Sequence, residues 1–562
     1  MFSSKKTKII TLVTIIISSI LLSATMFRSG LNYDYGIGFW GPNGHDAIWH
    51  LSLINQLKQN IPPQNPIFAG EILSNYHWGY DLLVALISKI TSINPSILYF
   101  QILPIVFALI IGILSYKLAY LITKNHLNSI FFVILNYFAS SLGWIVTLIK
   151  SGQIGGESLF WSMQSTSTLL NPPYALSLII LLFGFVLWYQ HRNSNSIWWG
   201  IIIGTLLSLL SFIKVYSAIL IGLSLAIYWL IDLIINKKFS KFNFYICLSM
   251  GLISLLLLKI LGVFNNVSLI EFKPFWFTHS LIESIDKFYW PKLASYRYNQ
   301  NNISISILIE LFLIALFLVG NLGFRIFGLL KYSISFIQKK ANQFDVLIAP
   351  FLIISFLFPL FFVQKGTAWN TIQFFYYFTF IINFYFASFL TQIYKKSKFL
   401  LYSLIIFTCI GSYGTLKDYF GNPPPSNLPS SEIQALTFLN NQPAGFILTY
   451  PYNKYIKNKL VTPIPLYAYE TTSYVSAFSQ KPVFLEDEMN LDITGFDWQN
   501  RRSQSLAFFS SNDKYFARGF LVNNNIKYIY LLKDQNFQLS LDDLQIDKIY
   551  DNNNIKIFNV RR

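Results

Sequence analysis

The sequence predicts an α-helical polytopic membrane protein with about eleven transmembrane helices and a C-terminal extracytoplasmic α/β domain. Three observations predict it. Apolar runs near the ~20 residues that span a bilayer recur through the first three quarters of the chain. The basic residues between them alternate in density, as the positive-inside rule requires. After Tyr413 the composition turns polar, and helix-like and strand-like stretches alternate.

The first span is Ile9 to Phe27, preceded by Lys5, Lys6 and Lys8. It lacks a convincing small-residue cleavage site and many spans follow, so it reads as an uncleaved anchor. Further spans are expected at 97–123, 127–149, 173–190, 196–213, 215–235, 242–264, 303–328, 344–363, 370–393 and 398–416. With the N-terminus inside, the inner loops hold Lys124; Arg192; Lys237, Lys238 and Lys241; Arg325, Lys331, Lys339 and Lys340; and Lys395, Lys396 and Lys398. The outer loops are longer and more sparsely basic. This places the N-terminus in the cytoplasm, and the 28–96, 150–172 and 265–302 loops and the C-terminal tail outside. The transmembrane domain is expected over 1–416, a linker over 417–431 and the α/β domain over 432–562.

The first outer loop concentrates chemistry. Its stretch from Gly44 to Asp81 holds three of the six histidines, His45, His50 and His77, and the acids Asp46, Glu71 and Asp81. Ionisable groups this dense beside a membrane are costly unless solvated or used. A helix is expected to start near His45, with Asp46 and His50 one turn apart on one face. Pro62-Pro63 and Asn65-Pro66 end it. A second, amphipathic helix is expected from about His77 to Ile90, suited to the membrane interface. Each residue also has a structural reading. An acid in a first helical turn is favoured by the dipole whatever its function, which covers Asp46 and Asp81; the structural reading of His50 is an interfacial or packed histidine, that of His77 a structural one, and Glu71 reads as a solvated loop acid.

Glu157 is the only acid of the 150–172 loop, where the structural reading is again a solvated carboxylate. The 265–302 loop is read as either a lid or a connector. Lys214 sits in a tight outer turn between two spans, and Lys365 lies at another outer edge. Both can snorkel to headgroups; both can also meet a lipid-borne phosphate.

In the tail, helices are expected at Glu432–Asn440, Asp497–Phe509 and Tyr515–Asn523. Strands are expected at Gly445–Tyr450, Tyr474–Phe484, Ile526–Leu532, Ile546–Tyr550 and Lys556–Val560. The tail has no glycine-rich phosphate loop, no metal-spaced Cys/His set and no nucleophile elbow, so no independent catalytic site is expected there.

Composition excludes several classes. At 54% hydrophobic and 12% charged residues the chain is far from soluble composition. Its formal charge of +17 is not a nucleic-acid signal, because the last 146 residues hold 15 Lys and Arg against 14 Asp and Glu, leaving +16 in the membrane part. Cys247 and Cys409 both lie in apolar runs and read as no disulfide framework.

Taken together, Gly44-His45-Asp46 at a helix start in the first outer loop, about eleven spans and an outer α/β domain resemble the GT-C glycosyltransferase superfamily. The class includes protein O-mannosyltransferases, aminoarabinose transferases and the oligosaccharyltransferase catalytic subunit. His45-Asp46…His50, Pro62-Pro63-x-Asn65-Pro66 and Tyr76-His77-Trp78-Gly79 resemble a group of uncharacterised bacterial members. The resemblance implies transfer of a sugar from a polyprenyl-phosphate donor to a glycan, lipid or protein acceptor, with inversion. It implies Asp46 as general base, His50 orienting it or the sugar, and Lys214 and Lys365 on the leaving phosphate. Glu157 matches loosely a second acidic position, and His45, His77 and Asp81 fall among the substrate-binding candidates. Members often pair two acids in this loop; here Asp46 is flanked by His45 and Ala47, and a divalent metal stays open. Membrane lipid and the lipid-linked donor are the expected partners, and nucleic acid is not. Two other classes fit the same sequence: a transporter or flippase of lipid-linked sugars, and a non-catalytic envelope-assembly protein.

Overall fold

The computed structural model describes residues 5–194, 196–235, 237–263, 269–299 and 303–561. Among these residues, eight helices are long and apolar enough to cross a membrane, or ten if each of two bent pairs counts as one span. The expected span at 196–213 forms a shorter apolar helix, Ile197–Ile213. The chain divides into two compact units, and each is built by different forces.

The first unit comprises residues 1–25, 104–258 and 270–420. Several of its helices begin where short polar side chains cap their free N–H groups. Asn125, Asn171, Ser196 and Ser397 accept from backbone amides at the starts of four helices, and Asn342 with Asp345 forms a capping box at the start of Gln343–Phe361. The helix Gln373–Lys396 is the hub. It is mostly buried and packs against His126–Phe138, Ile326–Ile337 and Gln343–Phe361.

Two expected spans are not continuous. The stretch read as 127–149 breaks into His126–Phe138 and Gly143–Ser151, bent by 47°. At the break the Ser140 amide and hydroxyl both donate to Thr408 O (2.8 and 2.7 Å), and Ser141 Oγ accepts from Gly143 N. Gly143 cannot be larger, because a Cβ there would stand 1.9 Å from Gly156 O. The 398–416 stretch breaks at Ile410 and bends by 43°. Arg325, read from sequence as a loop cation, is buried at a 3₁₀ turn between Ile303–Leu322 and Ile326–Ile337. Its guanidinium donates to Asn321 O (2.6 Å), Leu322 O (3.0 Å), Ser140 O (3.3 Å) and Asn383 Oδ1 (3.4 Å). Carbonyl dipoles gathered at helix breaks thus solvate a charge that apolar side chains could not.

The second unit comprises residues 26–103, 259–269 and 421–562. The whole first outer loop therefore clusters with the C-terminal region. The strand Gly36–Phe39 pairs antiparallel with Ser426–Leu428, inside the expected linker, and that strand runs parallel to Ile464–Pro465. The second sheet has the order Phe446–Thr449, Ile526–Leu532, Ile555–Val560, Ile546–Asp551, with only the first pair parallel. The helices Ser430–Asn440, Trp498–Ser510 and Lys514–Asn523 fall where the sequence predicts them. The segment 474–484 does not form the expected strand. Tyr474–Ser479 is a helix, and only Val483 keeps a bridge, to Ile447. The Glu486 carboxylate explains the helix start, since it accepts from the amides of Val475 (2.8 Å) and Ser476 (3.0 Å).

Candidate functional site

The helix Asp46–Leu57 positions the first set of candidates. Residues 47–57 are all buried, against Gly79–Thr91 and Tyr474–Ser479, and Asn55 Nδ2 donates to Ala477 O at 2.8 Å. The helix is thus a core element of its unit rather than a surface one. Its first residue is the exception: the Asp46 side chain is 59% exposed.

His45 holds that carboxylate in place. Its Nδ1 lies 2.8 Å from Asp46 Oδ1, and its Nε2 lies 3.3 Å from Asp487 Oδ1. The His45 side chain is 6% exposed and that of Asp487 is fully buried. Asp487 is itself fixed as the N-cap of Glu488–Thr494, accepting from Asn490 N (3.2 Å) and Asn490 Nδ2 (2.8 Å). Two carboxylates facing both ring nitrogens are satisfied together only by the imidazolium, which has two N–H donors. Burial opposes that charge, but the Asp487 charge 3.3 Å away and the hydrogen bond to Asp46 outweigh it, and His45 titrates well above the ordinary imidazole range.

His50 does not turn to Asp46. Its Nδ1 lies 2.7 Å from Asp81 Oδ1, with both side chains buried, and the rings of Tyr76, Tyr80 and Tyr99 surround it at 5.8–6.4 Å. His77 is half-buried and stacks on Tyr76 with ring centroids 4.9 Å apart. Glu71 is exposed, as expected. Within this unit the structure joins Asp46 to His45 and Asp487 in one set and His50 to Asp81 in another.

The other candidates lie in the first unit. Glu157 is not the solvated carboxylate its loop implies: it accepts from the Ser167 hydroxyl and from Thr415 Oγ1 at 2.9 Å, and burial raises its carboxyl despite those bonds. Lys214 is buried at the break between Ile197–Ile213 and Val215–Ile234, so it does not snorkel. Its Nζ lies 3.4 Å from Asn171 Oδ1 and 5.4 Å from the Tyr216 ring centre. Asn171 begins a chain of amides: its Nδ2 donates to Gln373 Oε1 (3.3 Å), Gln373 donates to Asn370, and Asn370 donates to Gln364 Oε1 (2.7 Å). The chain ends next to Lys365, which is exposed. The described part of the 265–302 loop is anchored. Its strand Ile270–Phe272 pairs with Phe362–Gln364, Lys287 Nζ donates to Ser158 O (3.0 Å), and Trp161 Nε1 donates to Ser280 Oγ (2.9 Å).

Sequence reasoning missed Asp487. The signal was there as Glu486-Asp487-Glu488, a run of three acids in an otherwise balanced region. Among the described residues no group of three or more His, Cys, Asp or Glu side chains is placed to hold a metal.

A family model described as an uncharacterized membrane protein (DUF2298) matches residues 52–154. No curated protein sequence matches the chain. Among solved structures, the Archaeoglobus fulgidus oligosaccharyltransferase in complex with Zn and sulfate is 11% identical at a TM-score of 0.53, over 92% of this chain and 68% of that one. The archaeal oligosaccharyltransferase AglB from the same organism, in complex with an inhibitory peptide and a dolichol-phosphate, is 12% identical at a TM-score of 0.51, over 94% and 70%. The fold is GT-C-like: an α-helical polytopic membrane protein with a C-terminal α/β region.

Proposed function

We propose that this protein is an inverting glycosyltransferase that moves a sugar from a polyprenyl-phosphate donor to an acceptor hydroxyl on the outer face of the cell membrane. The observation that carries the reading is the Asp46–His45–Asp487 array, in a chain whose fold is shared with oligosaccharyltransferase. It presents one exposed carboxylate from a buried, doubly anchored support. A base needs that orientation more than it needs any other property.

Asp46 takes the proton of the acceptor hydroxyl as its oxygen attacks the sugar's anomeric carbon. The bond from that carbon to the phosphate oxygen breaks, and the lipid phosphate leaves with the electron pair. One direct displacement inverts the anomeric centre. Charge grows on the departing phosphate, so the reading assigns Lys214 and Lys365 to it. The AglB structure contains a dolichol-phosphate, a carrier of the class proposed here. His45 and Asp487 are positioning residues; His50 with Asp81 shapes the helix pair behind Asp46.

The test incubates the purified protein in lipid with a panel of radiolabelled polyprenyl-phosphate sugars and an extract of acceptors. The expected result is a labelled glycoconjugate with the anomeric configuration opposite to the donor's. Transfer with retention, or no transfer from any donor, contradicts the reading.

A further inference from the structure

The second unit contains a cavity of about 470 Å³, in the size range of pockets that hold small ligands. Its walls are the end of the strand Phe446–Thr449, the segments 466–474 and 485–488, and the strand Ile526–Leu532 with the turn that follows. Three features define its chemistry. Tyr450, Tyr452, Tyr467, Tyr474 and Tyr530 line it, so much of its wall is flat ring surface with hydroxyl edges. Glu470, Glu486, Asp487, Glu488 and Asp534 also line it, and among the described lining residues there is no Lys or Arg. Thr472 lines it too; this residue is 5% exposed and its hydroxyl has no hydrogen-bond partner among the described residues. A buried hydroxyl without a partner is costly, and a ligand hydroxyl would satisfy it.

These features select a ligand class. Of these carboxyls Asp487 faces His45, Glu488 pairs with Arg502 and burial pushes Glu486 up to about 8, so Glu470 and Asp534 carry the negative charge that disfavours phosphates, sulfates and acid sugars. Tyrosine rings offer platforms to the C–H faces of sugar rings, while carboxylates and the amides of Asn453 and Asn536 accept from and donate to hydroxyls. A basic peptide shares the charge preference, but peptides are read along sheet edges and open grooves rather than in a bounded cavity. We propose that this cavity is a binding site for a neutral or amine-bearing oligosaccharide that carries no acid group. The proposal does not rest on sugar transfer, because it concerns binding in the absence of any donor.

The test is calorimetric titration of the full-length protein in detergent with four probes: maltotriose, a glucosamine disaccharide, a hyaluronan tetrasaccharide and trilysine. Saturable binding of maltotriose or the glucosamine disaccharide, and none of hyaluronan, is expected. Tyr467→Ala should weaken that binding about tenfold through loss of a ring platform. Asp534→Asn, at an exposed position that folding tolerates, should weaken the amine-bearing sugar about tenfold and leave maltotriose within about twofold, since charge assistance acts only on the amine. Thr472→Val should weaken both sugars. Absence of sugar binding, hyaluronan binding as tight as the sugars, trilysine bound in their place, or binding indifferent to Tyr467→Ala and Thr472→Val would each overturn the proposal.

Discussion

Replacing Asp487 by Asn removes one charge and little else. Asn caps helices as well as Asp does, so the helix Glu488–Thr494 keeps its N-cap. What changes is His45, whose Nε2 faces Asp487 from a buried position. Breaking a buried pair costs about 3–5 kcal/mol, and the lower end applies because the imidazole escapes part of the cost by losing its proton. The pair with Asp46 cannot compensate, since a 59% exposed carboxylate contributes about 0–1 kcal/mol at most. A loss of about 3 kcal/mol in a unit of a couple of hundred residues lowers Tm by about 6–12 °C. The pH dependence is diagnostic. His45 titrates higher in the folded state than unfolded, so its contribution is complete below the ordinary imidazole value and fades as pH rises through the folded one. Thermal unfolding followed by tryptophan fluorescence at pH 6 and pH 9 should therefore show a large native-to-variant gap at pH 6 and a smaller one at pH 9. An equal gap at both values, or none at pH 6, would refute the imidazolium bridge.

Three further outcomes follow from the same geometry. His50→Ala leaves the buried Asp81 carboxylate without its imidazole, and should cost about 3–5 kcal/mol in a melting experiment. If Lys214 takes the leaving phosphate as proposed, Lys214→Met, matched in length at a buried site, should raise KM for the lipid-phosphate donor and lower kcat together, by about 3–4 kcal/mol in all, and unchanged steady-state kinetics would remove it from that role. Glu157→Gln should leave Tm within a few degrees, because the amide oxygen still accepts from one of the Ser167 and Thr415 hydroxyls while its NH2 donates to the other, whereas Glu157→Leu removes both partners and should cost about 1–3 kcal/mol.

Much of the architecture is legible in sequence because bilayer and sheet both impose local periods. Apolar runs locate the spans, and a single Asn or Ser marks where several begin, as at Asn125 and Ser397. The strand Ile526–Leu532 coincides with its apolar run. What was not legible depends on partners far along the chain. Ser140-Ser141 breaks a helix because Thr408 O, on another segment, takes its donors. The alternating pattern after Tyr474 looks like a strand, but Glu486 caps it as a helix that packs on Asp46–Leu57. Arg325 reads as a loop cation until carbonyls from three segments are seen around it. Within the candidate site, Asp46 was visible from its place at a helix start. Its support was not, because Asp487 is more than four hundred positions away. His50 was assigned to Asp46 by helical spacing, yet its ring turns toward Asp81 on a different helix, where burial makes the pair far stronger.

The most direct measurement is the rate of sugar transfer by Asp46→Asn compared with the native protein, at equal folded concentration. The exposed side chain contributes about 0–1 kcal/mol, so Tm should stay within about 4 °C. With Asp46 as the base, transfer falls by about 10²–10⁴. A variant that folds normally and transfers sugar at the native rate would contradict the central claim.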